Sequence, residues 1–309
     1  MGGIVLYNHE TGVIRNCVNK ANISGSEQSI LGGICAVNEG TIENCINEGE
    51  ITMYKAAGGL DSNVSAIGGI VGTNGSWKIR EAKINNCKNY GKLSVGGGGG
   101  LQAAGGICGR GFGYILNSCN LGDIQYDKKE AIAGGICGCT YGENYKDYDA
   151  STPGKLYIYN CYNSNKIIGT YVYFGEILGM IKSGSVYIKN SYGLGDNPLI
   201  SYFSGYEDEG QQIMSIKNCY VLSSKYATKI EDSKTPVRVL TFDNCYNLES
   251  ENSTTSITGI IYVTDNYMKT NYFCNSLNNN ELSDDGKPIF KMIKEQDYPA
   301  LYWQEGTPK

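Results

Sequence analysis

The sequence predicts an all-β protein, a right-handed parallel β-helix with a short C-terminal cap. One string, Ile-x-Asn-Cys, returns along the chain. Its first and last cysteines, Cys17 and Cys245, are 228 residues apart over seven intervals, so the mean period is about 33 residues. Proline cannot donate to a sheet ladder, and the first proline is Pro153. No segment keeps the apolar spacing of an amphipathic helix. Short β-rich units of this period favour one β-helix coil per repeat, and the crossover rule for parallel strands predicts the right-handed sense.

Each position of the repeat has a structural explanation, because equivalent residues of a β-helix stack about 4.7–4.9 Å apart. We expect the Ile to form an aliphatic column inside. The Asn is expected to sit at a turn, tolerate left-handed geometry and bond amide to amide along the axis. The Cys is small and apolar enough to be buried. A Gly-Gly pair before Ile34, Ile70, Ile107 and Ile136 predicts a tight bend. The eight copies are Ile14–Cys17, Ile42–Cys45, Ile84–Cys87, Ile115–Cys119, Ile158–Cys161, Ile188–Ser191, Ile216–Cys219 and Phe242–Cys245.

The repeat also divides the chain. Residues 1–275 are assigned to a β-helix of about eight to nine coils and residues 276–309 to a C-terminal cap that shields the last coil from edge pairing. The uneven spacing indicates inserted loops on one side of the coils, at residues 53–66, 78–83 and 141–155. The opening MGGIV lies inside a repeat. We therefore expect the chain to be a piece of a longer protein whose signal and anchor lie elsewhere.

The string GGIxG followed by G-x-I-x-N-C-x-N-x-G-x-I resembles the GLUG-type repeats of bacterial surface proteins. The closing DYPALYWQ, residues Asp297–Gln304, looks like the usual end of such regions. The resemblance covers most of the chain, and it departs at Phe174–Met180, where Glu176 replaces the second glycine. It implies a non-catalytic region of an adhesin-like cell-surface protein or of an IgA-cleaving metallopeptidase. It brings no catalytic residues.

The twelve cysteines are predicted to be buried thiols rather than disulfides or metal ligands. Seven occupy one repeat position, and Ser191 replaces the eighth. Side chains stacked in parallel point the same way and cannot easily bridge. Cys137 and Cys139 form a close pair, but no second pair or histidine stands at zinc spacing. Some disulfides stay open as an alternative.

Composition and motifs argue against several functions. The net charge is −5 and no Lys/Arg cluster occurs, so no nucleic-acid partner is expected. No apolar run is long enough to insert into a membrane. His9 is the single histidine, and no phosphate-binding loop or nucleophile motif is present, so we expect no catalytic residues and no cofactor. Acidic loops are the remaining candidates for a carboxylate pair or a calcium site, with solvated loop charge as the plain alternative. Their residues are Glu143, Asp147, Asp149, Glu207, Asp208, Glu209, Asp284 and Asp285.

The residue after the repeat cysteine becomes tyrosine in four successive coils: Tyr162, Tyr192, Tyr220 and Tyr246. If the cysteine points inward, strand alternation points the next residue outward. This predicts an exposed tyrosine column that serves as the ligand-binding surface. The alternative is that each ring only packs on the next and stabilises the sheet.

The predicted function is a non-catalytic extracellular recognition or stalk module of a bacterial surface protein. We expect it to act in adhesion or in glycan or protein binding, as a monomer, with a host or microbial glycan or surface protein as partner. One alternative is a polysaccharide-cleaving lyase or hydrolase on the same fold. Another is a structural spacer that binds nothing. An enzyme should gather carboxylates in one groove, whereas a binding module should present aromatic or polar columns.

Overall fold

The structure of the chain is a computed structural model. It describes residues 1–26, 29–54, 65–76, 79, 81–96, 102–127, 132–140, 154–169, 173–203, 212–223, 227–230, 238–249, 259–279, 281–283, 285–293 and 297–304. The statements below concern these residues.

The described strands stack coil upon coil into five parallel sheets, so the predicted parallel β-helix is confirmed. A complete coil visits the sheets in order, and we number them from the first to the fifth in that order. The strands of one coil are Ile30–Gly32, Cys35–Asn38, Thr41–Glu43, Ile46–Asn47 and Ile51–Met53.

The first sheet and the fifth sheet each have five strands in the described residues. The first contains Ile30–Gly32, Ala66–Gly68, Ala103–Gly105, Ile132–Gly134 and Tyr173–Gly175. The fifth contains Ile23–Gly25, Ile51–Met53, Leu93–Val95, Ile124–Tyr126 and Ile167–Ile168.

The second, third and fourth sheets run further along the axis. The second contains Val5–Asn8, Cys35–Asn38, Val71–Asn74, Cys108–Gly111, Cys137–Cys139, Leu178–Ile181, Ile200–Phe203 and Ala227–Ile230. The third contains Val13–Arg15, Thr41–Glu43, Lys83–Asn85, Gly113–Leu116, Lys155–Tyr159, Ser185–Lys189, Gln212–Lys217 and Arg238–Asp243. The fourth contains Val18–Asn19, Ile46–Asn47, Lys88–Asn89, Cys119–Asn120, Tyr162–Asn163, Tyr192–Gly193, Tyr220–Val221, Cys245–Leu248 and Ile260–Val263.

The aliphatic column predicted from the repeat lies in the main core. Ile42 pairs with Ile84, and Ile84 with Ile115, so equivalent isoleucines are direct neighbours across the third sheet. All three are fully buried in one cluster with the repeat cysteines Cys45, Cys87 and Cys161. The assignment of Cys119 to this cysteine column is wrong: Cys119 pairs with Lys88 and Tyr162 and lies in the outer cluster of the fourth sheet, because the fourth copy has one extra residue and Ser118 takes the inward position. A second core lies between the fifth and first sheets, where Ile51 and Ile67 belong to one cluster.

The repeat asparagine occupies a left-handed turn in all eight copies, with φ between 48° and 57°. Its amide bonds along the axis as predicted: Asn86 Nδ2 donates to Asn44 Oδ1 at 2.8 Å. A second ladder lies two residues past the repeat cysteine position, where Asn47 donates to Asn89 Oδ1 and Asn89 to Asn120 Oδ1, each at 2.8 Å. This ladder is fully buried. It explains the Gly-Gly pair, because a Cβ on Gly69 would lie 2.3 Å from the Asn89 amide carbon.

The cysteines are free thiols, as predicted: eleven are buried and Cys17 is partly exposed. Several donate to the backbone carbonyl two residues earlier, as Cys161 Sγ does to the Tyr159 oxygen at 3.2 Å. Burial raises the pKa of Cys35, Cys119 and Cys274 to about 11. These thiols therefore stay protonated at neutral pH.

The C-terminal segment begins where the stack ends. Helix α1, Asp265–Met268, and helix α2, Asn271–Asn278, start at N-caps Thr264 and Thr270, and the strands Phe290–Lys291 and Ala300–Leu301 pair antiparallel. The last fourth-sheet strand ends at Val263, so the expected boundary between residues 275 and 276 lies inside α2. Neither described helix is long and apolar enough to cross a membrane.

Candidate functional site

The tyrosine column predicted on the fourth sheet is present, and its rings stack. Tyr162 and Tyr192 have ring centroids 5.1 Å apart, and Tyr192 and Tyr220 have centroids 4.8 Å apart, with the planes within 5°. Tyr246 pairs with Tyr220 in the next coil. The rings lie outside the main core, in a cluster separate from the repeat isoleucines. The outward direction inferred from strand alternation is therefore right.

The predicted exposure of this column is wrong. Tyr162, Tyr192, Tyr220 and Tyr246 are 4%, 0%, 0% and 5% exposed. Their outer side is covered by the C-terminal segment, which packs Phe273, Phe290 and Trp303 against them. The column is thus the core between the fourth sheet and the cap, in agreement with the packing alternative, and it offers no surface to a ligand.

Polar contacts hold the cap along this sheet. Tyr192 Oη donates to Gln304 Oε1 at 2.6 Å, and Tyr220 Oη donates to the carbonyl oxygen of Pro299. Burial raises the pKa of Tyr220 far above its ordinary value, which keeps the hydroxyl protonated as a donor. The cap therefore runs sideways over several coils rather than only closing the end.

A different tyrosine column lies on the outer face of the third sheet. Tyr114, Tyr157 and Tyr187 are direct partners in successive coils. The ring centroids of Tyr114 and Tyr157 are 4.7 Å apart and those of Tyr157 and Tyr187 are 4.9 Å apart, with interplanar angles of 7° and 15°. Tyr159 meets Tyr157 edge-on at 5.9 Å. We call Tyr114, Tyr157 and Tyr187 the third-sheet tyrosine column; Tyr159 stands beside it, in register with Lys189.

Strand alternation makes this column accessible. In Lys155–Tyr159, Leu156 and Ile158 point into the core and are buried, whereas Tyr157 and Tyr159 are only partly buried. Desolvation is the main cause that raises the pKa of Tyr159 to about 12, and it also raises that of Tyr114, beside Glu81. Both phenols are therefore neutral at physiological pH and present hydroxyl groups that donate and accept. The sequence signal for this column is a tyrosine immediately before the repeat isoleucine.

The column ends abruptly toward the C-terminus. Tyr187 is followed in register by Ser215 and then by the exposed Thr241. The neighbouring column carries charge: Lys189 Nζ lies 2.7 Å from Glu281 Oε2, and Lys217 Nζ lies 2.8 Å from Glu281 Oε1. Lys217 Nζ also lies 3.3 Å from Asp243 Oδ2. The side chains of Lys189, Lys217 and Glu281 keep 38%, 35% and 26% exposure, so solvent reaches this network.

The described part of the structure shows no cluster of the acidic candidates. Asp285 is exposed and pairs with Lys287 at 3.0 Å. Glu143, Asp147, Asp149, Glu207, Asp208, Glu209 and Asp284 lie outside the described residues. Among the residues that are described, no group of three or more His, Cys, Asp or Glu side chains could hold a metal ion.

Comparison with known proteins gives one structural match. No family model and no curated protein matches the chain. A solved structure described as a putative immunoglobulin A1 protease from Bacteroides ovatus matches with 20% identity and a TM-score of 0.45. The match covers 96% of this chain and 76% of that chain.

Proposed function

We propose that this chain is a non-catalytic recognition module of an extracellular bacterial surface protein, and that it contacts its partner through the third-sheet tyrosine column. The observation that carries the proposal is the in-register stack of Tyr114, Tyr157 and Tyr187, half-buried on a continuous sheet face. The partner is a glycan or a surface protein of a host or a neighbouring microbe.

The stack suits recognition for a physical reason. Tyrosine has few rotatable bonds and combines apolar area with a polar tip, so it contributes contact surface at low entropic cost. Rings that stack on their neighbours are already held in place before a partner arrives. Such preorganisation removes part of the ordering penalty of binding. A rigid β-helix adds a support whose strands keep the rings at fixed spacing.

The alternative function, polysaccharide cleavage, requires two carboxylates in one groove. Its strongest candidates, Glu143, Asp147 and Asp149, lie outside the described residues, so no geometry in the described part favours it. The buried thiols fit a surface protein that protects its cysteines by burial rather than by oxidation.

A triple variant tests the proposal. Tyr114, Tyr157 and Tyr187 are replaced by Thr, which keeps β-propensity and removes the rings. Wild type and variant are compared on arrays of host and microbial glycans and surface proteins. Loss of three contact rings should weaken binding at least about tenfold. Tyr90→Thr is the control, since Tyr90 is 47% exposed and lies beyond the fourth-sheet strand Lys88–Asn89. Equal binding by the triple variant, or no binding by wild type, would sink the proposal.

A further inference from the structure

The C-terminal end of the third-sheet tyrosine column forms a notch, which we define by Tyr187, Ser215, Thr241, Ile213 and Lys217. Tyr114 and Tyr157 are each followed by another tyrosine, but Tyr187 is followed by Ser215. A serine side chain is too short to cover the ring of the preceding tyrosine. Among the described residues of this column, the C-terminal face of the Tyr187 ring therefore has no ring stacked on it. At the other end, Tyr114 has the long side chain of Lys83 as its register partner rather than a short serine.

The floor and sides of the notch differ in chemistry. Ser215 and Thr241 lie in consecutive strands, so the floor extends for two rungs, or roughly 10 Å, and carries two hydroxyl groups. Ile213 and Lys217 lie two residues to either side of Ser215 on the same strand, on the same outer face. One side of the notch is consequently apolar, and the other side carries charge.

The charged side is fixed in place. Lys217 is held between Glu281 at 2.8 Å and Asp243 at 3.3 Å, and these partners raise its pKa. Lys217 therefore remains an ammonium group, and Glu281, whose pKa is lowered, remains a carboxylate. With roughly a third or less of each side chain exposed, the pair can still donate and accept hydrogen bonds at the mouth of the notch.

A ring bound in the notch would continue the column. The tyrosines repeat at 4.7 Å and 4.9 Å between centroids, so a flat group stacked on Tyr187 occupies the volume above Ser215 that a further tyrosine would fill. Carbon atoms in contact lie about 3.5–4.0 Å apart, which one rung accommodates. The rung of Ser215 thus accepts a flat ring that places one apolar face on Tyr187.

We propose that the notch binds one pyranose ring of a glycan, with the sugar's C–H face on Tyr187 and its hydroxyl groups on the Ser215, Lys217 and Glu281 side. This rests on the proposed recognition function and names its ligand class. A sugar combines an apolar face with a rim of groups that both donate and accept. Lys217 only donates hydrogen bonds and Glu281 only accepts them. Sugar hydroxyl groups can accept from Lys217 and donate to Glu281, so one sugar can bond to both side chains. Sites for small ligands commonly pair an aromatic surface with a few convergent polar groups in this way.

The test fills the notch instead of emptying it. In Ser215→Tyr the new ring extends the column and covers Tyr187, while Tyr114, Tyr157 and Tyr187 remain. Saturation-transfer NMR on the full chain uses methyl β-glucopyranoside, methyl β-galactopyranoside and methyl α-mannopyranoside as probes. We expect transfer to the C–H protons of one sugar face in wild type, and a loss of about tenfold in apparent affinity in Ser215→Tyr.

Thr41→Tyr is the matched control, because Thr41 lies in the same column on the other side of Lys83 and Tyr114. It should bind the probes as wild type does. No transfer to any probe, or equal transfer in Ser215→Tyr, would overturn the notch. A fourth probe, para-cresol, represents an aromatic side chain. Binding of cresol alone that Ser215→Tyr abolishes would assign the notch to a protein partner and overturn the sugar proposal. The array experiment tests the recognition function separately. That function is overturned if the triple tyrosine variant binds the arrays as strongly as wild type does.

Discussion

The side chain of Glu176 occupies the place that Gly193 leaves empty in the buried asparagine ladder of the fourth sheet. Asn163 pairs with Gly193, where the preceding coils have an asparagine. Asn163 Nδ2 instead donates to Glu176 Oε2 at 2.7 Å, and a Cβ on Gly193 would lie 2.2 Å from that of Glu176. Glu176 itself stands where Gly33, Gly69, Gly106 and Gly135 stand in other coils. In this coil Gly193 stands at the position of the ladder asparagine, and Glu176 stands at the position of the glycine. One side chain, that of Glu176, therefore still fills the space.

This exchange predicts strong coupling between the two sites. Gly193→Asn alone should destabilise the protein by about 3 kcal/mol because its side chain collides with Glu176. Glu176→Gly alone should destabilise it by about 2–4 kcal/mol, since it opens a cavity and removes the acceptor of Asn163. The double variant restores the pattern of the earlier coils and should recover at least half of the summed loss, a coupling of about 3 kcal/mol. Urea unfolding of all four proteins measures it, and additive effects would contradict the exchange.

Glu176 also predicts a dependence of stability on pH. Burial raises the pKa of this carboxyl group, although hydrogen bonds from Asn197 and Asn163 oppose the rise. The folded chain therefore holds this proton more tightly than the unfolded chain does. Its contribution to stability is complete below the ordinary glutamate pKa and is lost as pH rises through the raised value. Wild type should gain melting temperature relative to Glu176→Gln as pH falls from 7 toward 5. Parallel profiles of the two proteins would refute this account.

The repeat made the coils predictable because each coil imposes the same local constraints on the next. Turn asparagines and inward isoleucines recur at positions that the structure confirms, and so do the repeat cysteines except Cys119, which lies one residue past its predicted place. The cover over the fourth-sheet tyrosines was not predictable from periodicity. Gln304 bonds to Tyr192 across 112 residues, and the segment that brings it there has no repeat. The third-sheet column left a weaker trace, since only three coils carry tyrosine before the repeat isoleucine.

The cap predicts a sharp difference between two adjacent aromatic residues of α2. Phe273 is fully buried and lies edge-on to Tyr220 and Tyr246, with centroids 5.6 Å and 4.9 Å away. Phe273→Ala should therefore cost about 3–5 kcal/mol and expose the fourth-sheet column to the dye ANS. Tyr272, which is 70% exposed, is the control, and Tyr272→Ala should stay within about 0.5 kcal/mol of wild type. Similar losses in both variants would mean that the cap does not rest on these rings.

The cysteines predict a single accessible thiol in the native protein. Eleven of the twelve are buried, and Cys17, in the first coil, is partly exposed. Thiolate is the reactive form, so a thiol with pKa about 11, as at Cys35 and Cys119, is ionised in about one molecule in a thousand at pH 8. A hydrogen bond with Cys87 lowers the pKa of Cys45 to about 7, so this thiol is protected by its complete burial alone. In native protein treated with a thiol reagent, about one cysteine per chain should therefore react, and all twelve should react in denaturant. Cys17→Ser should remove that one reactive thiol. If the variant still reacts as wild type does, or if several thiols react at once in the native state, the buried cysteine columns are not closed to solvent.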